Sequence, residues 1–389
     1  MRILIFLPCF TDGGAEKQAA ILAKHLQRSG HYTEAWGFPS LGKGTPLFES
    51  LTSAGIICRE LHRWPYIGRI YNDDGSNAPK IIAHSVKRFF NKIKLSSRLP
   101  QGGFDIVIPF TVIPCWVSAL CKKHIATHAY WNHRGGYDSG GFTYSQYVLK
   151  KVTENHLKFI ANSEHGARFL SDRFFVPLDS VTIVKNAFTP DEEWEILPTL
   201  ERHRSGSTRP LRLLHVSNIF RKKDIWTVLD ATRILKAIGI DFELTIAGFF
   251  IDDNEELRFL SEIDRDLKDI VRYRGPVERK ELEHLLVNAD IGLLSSLCEG
   301  SSNSVLEYMY AGLPVIGTDI PGIRDILPEV GRKWLFRVGD TRTLASMIVD
   351  MASSEHLRLK LGSINRKHVE SEFSVCASMA KWNSLLGIS

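Results

Sequence analysis

Short apolar runs rich in Ile, Val, Leu and Phe alternate along this chain with segments of helical period, and the alternation occurs twice. "RILIFLP" precedes "AEKQAAILAKHLQRSG", in which Ala19, Leu22, Ala23 and Leu26 share one face and Gly30 stands where a helix would end. "FDIVIPF", "HAYWNH", "KFIANS" and "VTIVKNA" read as further strands, with "YSQYVLKKVTENH" and "EHGARFLSDRF" as helices among them. Unbroken apolar strands separated by helices are what a parallel sheet covered on both faces requires. The pattern breaks at "FTPDEEWEILPTLERHRSGSTRP" (Phe188 to Pro210), a Pro-, Ser- and charge-rich stretch suited to a connection between domains. It restarts with strands in "LRLLHVSN", "FELTIAGF", "IVRYRGPV", "DIGLLSSL" and "LPVIGTD" and helices between them. The expected fold class is α/β, with two Rossmann-like doubly wound domains facing across a cleft. A chain of 389 residues is long enough for two hydrophobic cores. The expected boundaries are 1–188 for the first domain, 189–210 for the linker and 211–370 for the second, with 371–389 as a C-terminal helix.

Several classes are disfavoured. The six cysteines form no C-x-x-C pair and no framework spacing, so neither structural zinc nor a disulfide scaffold is indicated, and a reducing cytosol fits. "MRILIFLPCFTDGG" reads as a first buried strand rather than a secretory signal. "IVIPFTVIPCWVSALC" falls short of the roughly 20 residues a membrane span needs and carries two prolines, so it reads as a buried strand entering a buried helix.

The net charge of +5 hides an asymmetry: residues 1–190 carry 23 Lys and Arg against 13 Asp and Glu, the rest 26 against 31. Residues 80–98, "KIIAHSVKRFFNKIKLSSR", hold six basic residues and no acidic one, and Ile82, Val86, Phe89 and Ile93 would share a helix face. Such a helix suits an anionic membrane surface; the competing reading is a helix packed on its own domain with solvated lysines. No aromatic-basic stacking pattern accompanies the charge, so nucleic acid is disfavoured.

The chemistry-bearing stretches lie where strands give way to helices, the place where doubly wound sheets bind ligands. In "TDGGAEKQ", Gly13 and Gly14 let backbone approach a ligand at a helix N-terminus, or simply make a tight turn. The full G-x-G-x-x-G of a nicotinamide site is missing. "IFRKKD" sets Arg221, Lys222 and Lys223 ahead of the next helix, where the macrodipole disfavours cations unless an anion is shared. In "CEGSSNSVLEYMYAGLPVIGTD", Glu299 and Glu307 stand eight positions apart with small polar residues between them. Open helix amides there suit a phosphate, and ionised carboxylates suit vicinal sugar hydroxyls. A structural alternative is a Ser304–Glu307 capping box. No metal-ligand cluster appears at this place.

"CEGSSNSVLEYMYAGLPVIGTDIPGIRDIL" resembles the E-x7-E motif of the family-4 retaining glycosyltransferases (glycosyl transferases group 1). The Gly-Gly loop, "FIANSEHGARFL", "VKNAF", "HVSNIFRKKD", "TIAGF" and "YRGPVERKELEHLLVNADIGLLSS" occur in that family's order. The resemblance covers nearly the whole chain, most strongly residues 211–330, and fails between Gly42 and Lys94. It implies a GT-B fold whose last helix returns to the first domain, and a nucleoside diphosphate sugar as donor with no metal or other cofactor. By position it implies Lys223 on the diphosphate, Glu307 on the ribose, Glu299 on the donor sugar, amides of Asn303, Ser304 and Val305 on phosphate, and backbone from Gly275 to Val277 beside the base. Gly14 would approach phosphate or acceptor, and His133 the sugar, with His128 as rival and a packed strand histidine as the structural alternative.

One departure stands out. The family's Gly-Arg-Leu before the lysine is Ser217, Asn218, Ile219 here, so Asn218 donates without charge and Arg221 is left as a substitute cation. The expected function is sugar transfer with retention of configuration to an acceptor hydroxyl, in surface polysaccharide or lipopolysaccharide assembly. The acceptor is expected to be a saccharide or lipid-linked saccharide, and the location cytoplasmic, at the inner membrane face. The competing functions are a sugar-nucleotide epimerase or phosphorylase on a similar fold, and an inert nucleotide-sugar-binding relative.

Overall fold

The computed structural model describes residues 1–11, 13–38, 45–61, 99, 102–134, 146–188 and 209–388. The basic segment 80–98 and all of the expected linker except Arg209 and Pro210 lie outside the described residues. The chain divides into two compact units, Met1–Asn186 with Met379–Ser389, and Ala187–Ser378.

In the first unit the strands are β1 (Arg2–Phe6), β2 (Tyr32–Gly37), β3 (Ile57–Glu60), β4 (Phe104–Pro109), β5 (Ala126–His133), β6 (Lys158–Ala161) and β7 (Val181–Ile183). The helices are α1 (Gly14–Arg28), α2 (Pro46–Ser53), α3 (Val112–Ile125), α4 (Gln146–Glu154) and α5 (Glu164–Phe174). The strands pair in parallel in the order β3-β2-β1-β4-β5-β6-β7. Ile3, Leu4, Ile5 and Phe6 are all buried, as a strand covered on both faces demands. Ala19, Leu22, Ala23 and Leu26 turn inward on α1, and Gly30, at φ 81°, closes that helix with its N–H on the Gln27 carbonyl.

The strand β2 carries a carboxylate inside the sheet. Glu34 accepts from Tyr32 Oη at 2.7 Å, Trp36 Nε1 at 2.9 Å and Arg59 Nε at 2.9 Å. Burial pushes its carboxyl up, and the three donors outweigh that and hold it below the ordinary range.

The second unit has β8 (Leu211–Val216), β9 (Phe242–Ala247), β10 (Val271–Tyr273), β11 (Ile291–Leu294), β12 (Val315–Thr318) and β13 (Leu335–Phe336). Its helices are α6 (Ile225–Ala237), α7 (Asp253–Asp266), α8 (Arg279–Asn288), α9 (Asn303–Tyr310), α10 (Pro321–Arg324), α11 (Thr341–Ala352) and α12 (Glu355–Glu372). The strands again pair in parallel, in the order β10-β9-β8-β11-β12-β13. This is the 3-2-1-4-5-6 order of a dinucleotide-binding sheet, and it reverses direction between β8 and β11. A ligand of such a sheet sits at the carboxyl ends of those two strands.

The final helix, α13 (Val375–Leu386), runs across the boundary between Ser378 and Met379. Its later residues pack on the first unit: Trp382 lies 6.5 Å from Phe110, Asn383 Oδ1 is 3.0 Å from His25 Nε2, and Tyr130 Oη donates to the Leu385 carbonyl at 3.4 Å. Arg134 binds both chain crossings, donating to Val184 O and Asn186 Oδ1 at 3.2 Å and facing the rings of Phe110 and Trp382. Burial pushes its pKa down to about 9. Among the described residues no helix is long and apolar enough to cross a membrane.

Candidate functional site

The site of the second unit is assembled where β8 and β11 part. Beyond β8 the chain passes Ser217 and Asn218, makes a 3-10 turn at Arg221–Lys223, and enters α6 through Asp224 at φ 44°. Aspartate tolerates that left-handed conformation, and Thr227 Oγ1 donates to Asp224 Oδ2 at 2.6 Å. The end of β11 staples this turn in place. Ser295 Oγ bonds the carbonyls of Lys223 at 3.1 Å and Asp224 at 2.8 Å, and the Leu297 N–H donates to the Lys222 carbonyl at 2.8 Å.

So fixed, Lys223 Nζ meets Glu299 Oε1 at 2.5 Å, with the two side chains only 19% and 12% exposed. Ser296 Oγ donates to the same oxygen at 2.7 Å, and Thr318 Oγ1 holds the Ser296 carbonyl at 2.6 Å. The shared anion that a lysine before a helix requires is thus Glu299 itself. Behind the loop stands Gly322, where a Cβ would lie 2.2 Å from the Glu299 carbonyl oxygen, so only glycine fits without moving the loop.

The second glutamate rides on α9. Tyr308, fully buried, sets that helix against the sheet: its hydroxyl accepts the Val216 N–H at 2.5 Å and donates to the Leu293 carbonyl at 3.3 Å. Gly292 makes room for its ring, since a Cβ there would fall 2.4 Å from Tyr308 Cγ. The structural alternative, a capping box of Ser304 with Glu307, does not form. Ser302 is the N-cap, its Oγ accepting the Val305 N–H at 3.4 Å, so Ser304 already lies inside the helix and Glu307 is one turn further on. Glu307 Oε1 instead meets Arg279 Nη1 at 3.2 Å, with the side chains 15% and 18% exposed. Of the three amides expected to face phosphate, that of Val305 serves the cap.

His215, fully buried on β8, has no hydrogen-bond partner on either ring nitrogen among the described residues. Burial, and then the charge of Lys223, push its pKa down to about 3, so the imidazole is neutral. Asn218 and Arg221 are exposed on the loop after β8. Gly275, at φ 67°, accepts the Gly248 N–H at 2.8 Å, and Val277 packs on the core shared by α8 and α9. Among the described residues no three His, Cys, Asp or Glu side chains gather as a metal site.

The first unit places its expected residues differently. Gly14 opens α1, preceded by Gly13 at an ordinary φ of −70°. What Gly13 provides is room: a Cβ would lie 2.2 Å from Glu16 Oε2, so the space expected for a ligand holds the chain's own carboxyl. Burial pushes the Glu16 pKa up. His133, at the end of β5, stacks on Phe169 at 4.8 Å and is 3% exposed, while His128 is exposed on the same strand.

Lys223, Glu299 and Ser296 are thus bonded together beyond the carboxyl ends of β8 and β11, and Glu307, on the helix that follows, is bonded to Arg279; Arg279, Ser296, Gly322 and His215 are neighbours that sequence reasoning passed over. Arg279 did leave a signal, as a cation on the first residue of a helix.

The match to a known protein family falls on this same unit. Residues 200–368 match the family model for glycosyl transferases group 1. The group 1 match thus contains both glutamates, Lys223 and Arg279. An amylovoran biosynthesis glycosyltransferase of Erwinia amylovora is 33% identical over 177 residues, covering 44% of this chain and 43% of the relative. A putative colanic acid biosynthesis glycosyltransferase of Salmonella typhimurium is 29% identical over 162 residues, covering 40% and 39%. The chain thus matches about two fifths of the length of these relatives. Among solved structures, Anabaena HepE in complex with UDP superposes with a TM-score of 0.73 over all of both chains at 16% identity. A lipopolysaccharide outer core galactosyltransferase gives 0.69 over 100% of this chain and 99% of that one, also at 16% identity. These likenesses establish the fold as that of the GT-B glycosyltransferases.

Proposed function

We propose that this chain is a retaining glycosyltransferase that moves a sugar from a nucleoside diphosphate sugar to an acceptor hydroxyl in the assembly of a bacterial polysaccharide. The observation that carries the proposal is the pairing of Lys223 with Glu299 and of Arg279 with Glu307 around the start of α9, inside the group 1 match.

Breaking the bond to the anomeric carbon builds positive charge on the sugar and negative charge on the departing diphosphate. Lys223 and the first amides of α9 would meet that diphosphate, the preorganised charge that contributes most to many reactions of this kind. Glu299 would accept from hydroxyls of the donor sugar, and Glu307 from the ribose. Attack from the leaving group's own face, with a diphosphate oxygen taking the acceptor proton, would give retention without a side-chain nucleophile. The polysaccharide setting is supported by the relatives from amylovoran and colanic acid biosynthesis. A lipid-linked saccharide acceptor at the inner membrane face, reached from the cytoplasm, completes the proposal.

The test is transfer from a panel of nucleotide sugars, read by NMR for product and for its anomeric configuration. Glu299→Gln and Lys223→Ala should each lower turnover at least about 100-fold. Near-normal transfer by both variants sinks the site. Conversion of donor with no acceptor present would point to an epimerase instead.

A further inference from the structure

We infer that Arg279 is a second phosphate-binding cation of the donor site, holding Glu307 in the absence of ligand and meeting the nucleotide's diphosphate when donor binds. The inference rests on the donor reading above and adds to it a residue from a different helix.

Three observations carry it. First, Arg279 is the first residue of α8, where its charge is opposed by the helix dipole unless an anion is held there as well. Glu307 supplies one such anion at 3.2 Å, as Glu299 supplies one to Lys223. Secondly, geometry brings the guanidinium to the phosphate end of α9. Glu307 follows Asn303 by four residues, about 6 Å along the axis, and side chains on a helix lean toward its N-terminus. The Glu307 carboxylate therefore leans toward the first turn of α9, and the guanidinium bonded to it is drawn toward that end of the helix. Thirdly, both of these cations already hold a glutamate, Lys223 on Glu299 and Arg279 on Glu307, each pair largely buried. A diphosphate adds negative charge that must share these cations. Asn218 carries none, and Arg221 is exposed on the loop. Arginine suits the sharing, since its planar fork can serve a carboxylate and a phosphate together.

The test separates phosphate binding from support of the fold. UDP, GDP, ADP and dTDP are screened by thermal shift with the full chain. The diphosphate that binds is then titrated calorimetrically beside its monophosphate and its nucleoside, with wild type, Arg279→Ala and Arg279→Lys. In Arg279→Ala the affinity for the diphosphate should fall by about 10- to 100-fold more than that for the nucleoside, and Arg279→Lys should recover part of the difference. The gap should shrink as salt is raised. Equal losses for nucleoside and diphosphate, or none for the diphosphate, overturn the inference and leave the donor site standing. If wild type binds none of the four, the donor reading falls and Arg279's role falls with it.

Discussion

Acid should loosen the second unit through one residue, His215. Its imidazole is buried beneath the Lys223 turn with a pKa of about 3, against 6.5 ordinarily. A depressed histidine contributes its full share of stability above the unfolded value and loses it as pH falls, because the unfolded chain takes up a proton that the folded one refuses. Between pH 7 and pH 5 the linkage amounts to about 2 kcal/mol, a large part of the 5–15 kcal/mol typical of a domain. Glu34, held low by its three donors, loses its contribution only further down, and Asp224, pushed up by burial, is present alike in both proteins compared. The comparison is between wild type and His215→Gln, which keeps a polar side chain but does not titrate. Two units need not unfold together, so urea unfolding at the two pH values is paired with hydrogen exchange at the β8 amides. Wild type should lose about 2 kcal/mol more than the variant. If both lose the same amount, His215 is not held neutral by its surroundings and the reasoning fails.

Gly322→Ala should push the Glu299 loop aside, costing about 1–3 kcal/mol of stability and at least about 10-fold in turnover; an unchanged crystallographic loop with full activity refutes it. Ser296→Ala should leave Lys223 as the remaining anchor of Glu299 and lower kcat/KM by about 3- to 10-fold with the melting temperature nearly unchanged, as checked by steady-state kinetics beside calorimetry. Ser302→Ala should cost about 1 kcal/mol and Ser304→Ala almost nothing in urea unfolding, since only the former caps α9; the reverse order would restore the capping box.

Much of the fold is legible in the chain because parallel strands buried on both faces leave an unmistakable trace in runs such as "RILIF" and "IGLL". The strand β2 is harder to see, because Glu34 interrupts its apolar pattern and its three donors come from Tyr32, Trp36 and a separate strand. The cap of α9 is ambiguous in the sequence for a related reason. Both Ser302 and Ser304 can cap, and the choice falls to Ser302, whose N–H reaches the Gly322 carbonyl at 3.4 Å across 20 residues of sequence. Likewise, the Gly-Gly loop shows that a Cβ is unwelcome at Gly13 but not that Glu16 fills the space. Local pattern locates these features, while tertiary contact decides which residue performs them.

The same limit explains why half of the site escaped notice. The sequence presents Glu299 and Glu307 as a pair because they share one stretch, but in the structure each belongs first to a cation from elsewhere: Lys223 from the turn after β8, Arg279 from the head of α8. Both cations stand beside helix N-termini, where the dipole disfavours charge of their sign and a paired carboxylate offsets it. With carboxylates in that role the site is stable without ligand. Each pair, being largely buried, is also costly to split by removing one partner alone. On the proposed donor reading, a diphosphate that enters would exchange partners with the glutamates to reach Lys223 and Arg279. The glutamates, released in part from their cations, would then turn to hydroxyl donors. Such an exchange would link recognition of the phosphates to recognition of the two sugars: a nucleotide lacking its phosphates would leave both carboxylates committed to Lys223 and Arg279, and so should bind weakly even where its ribose fits.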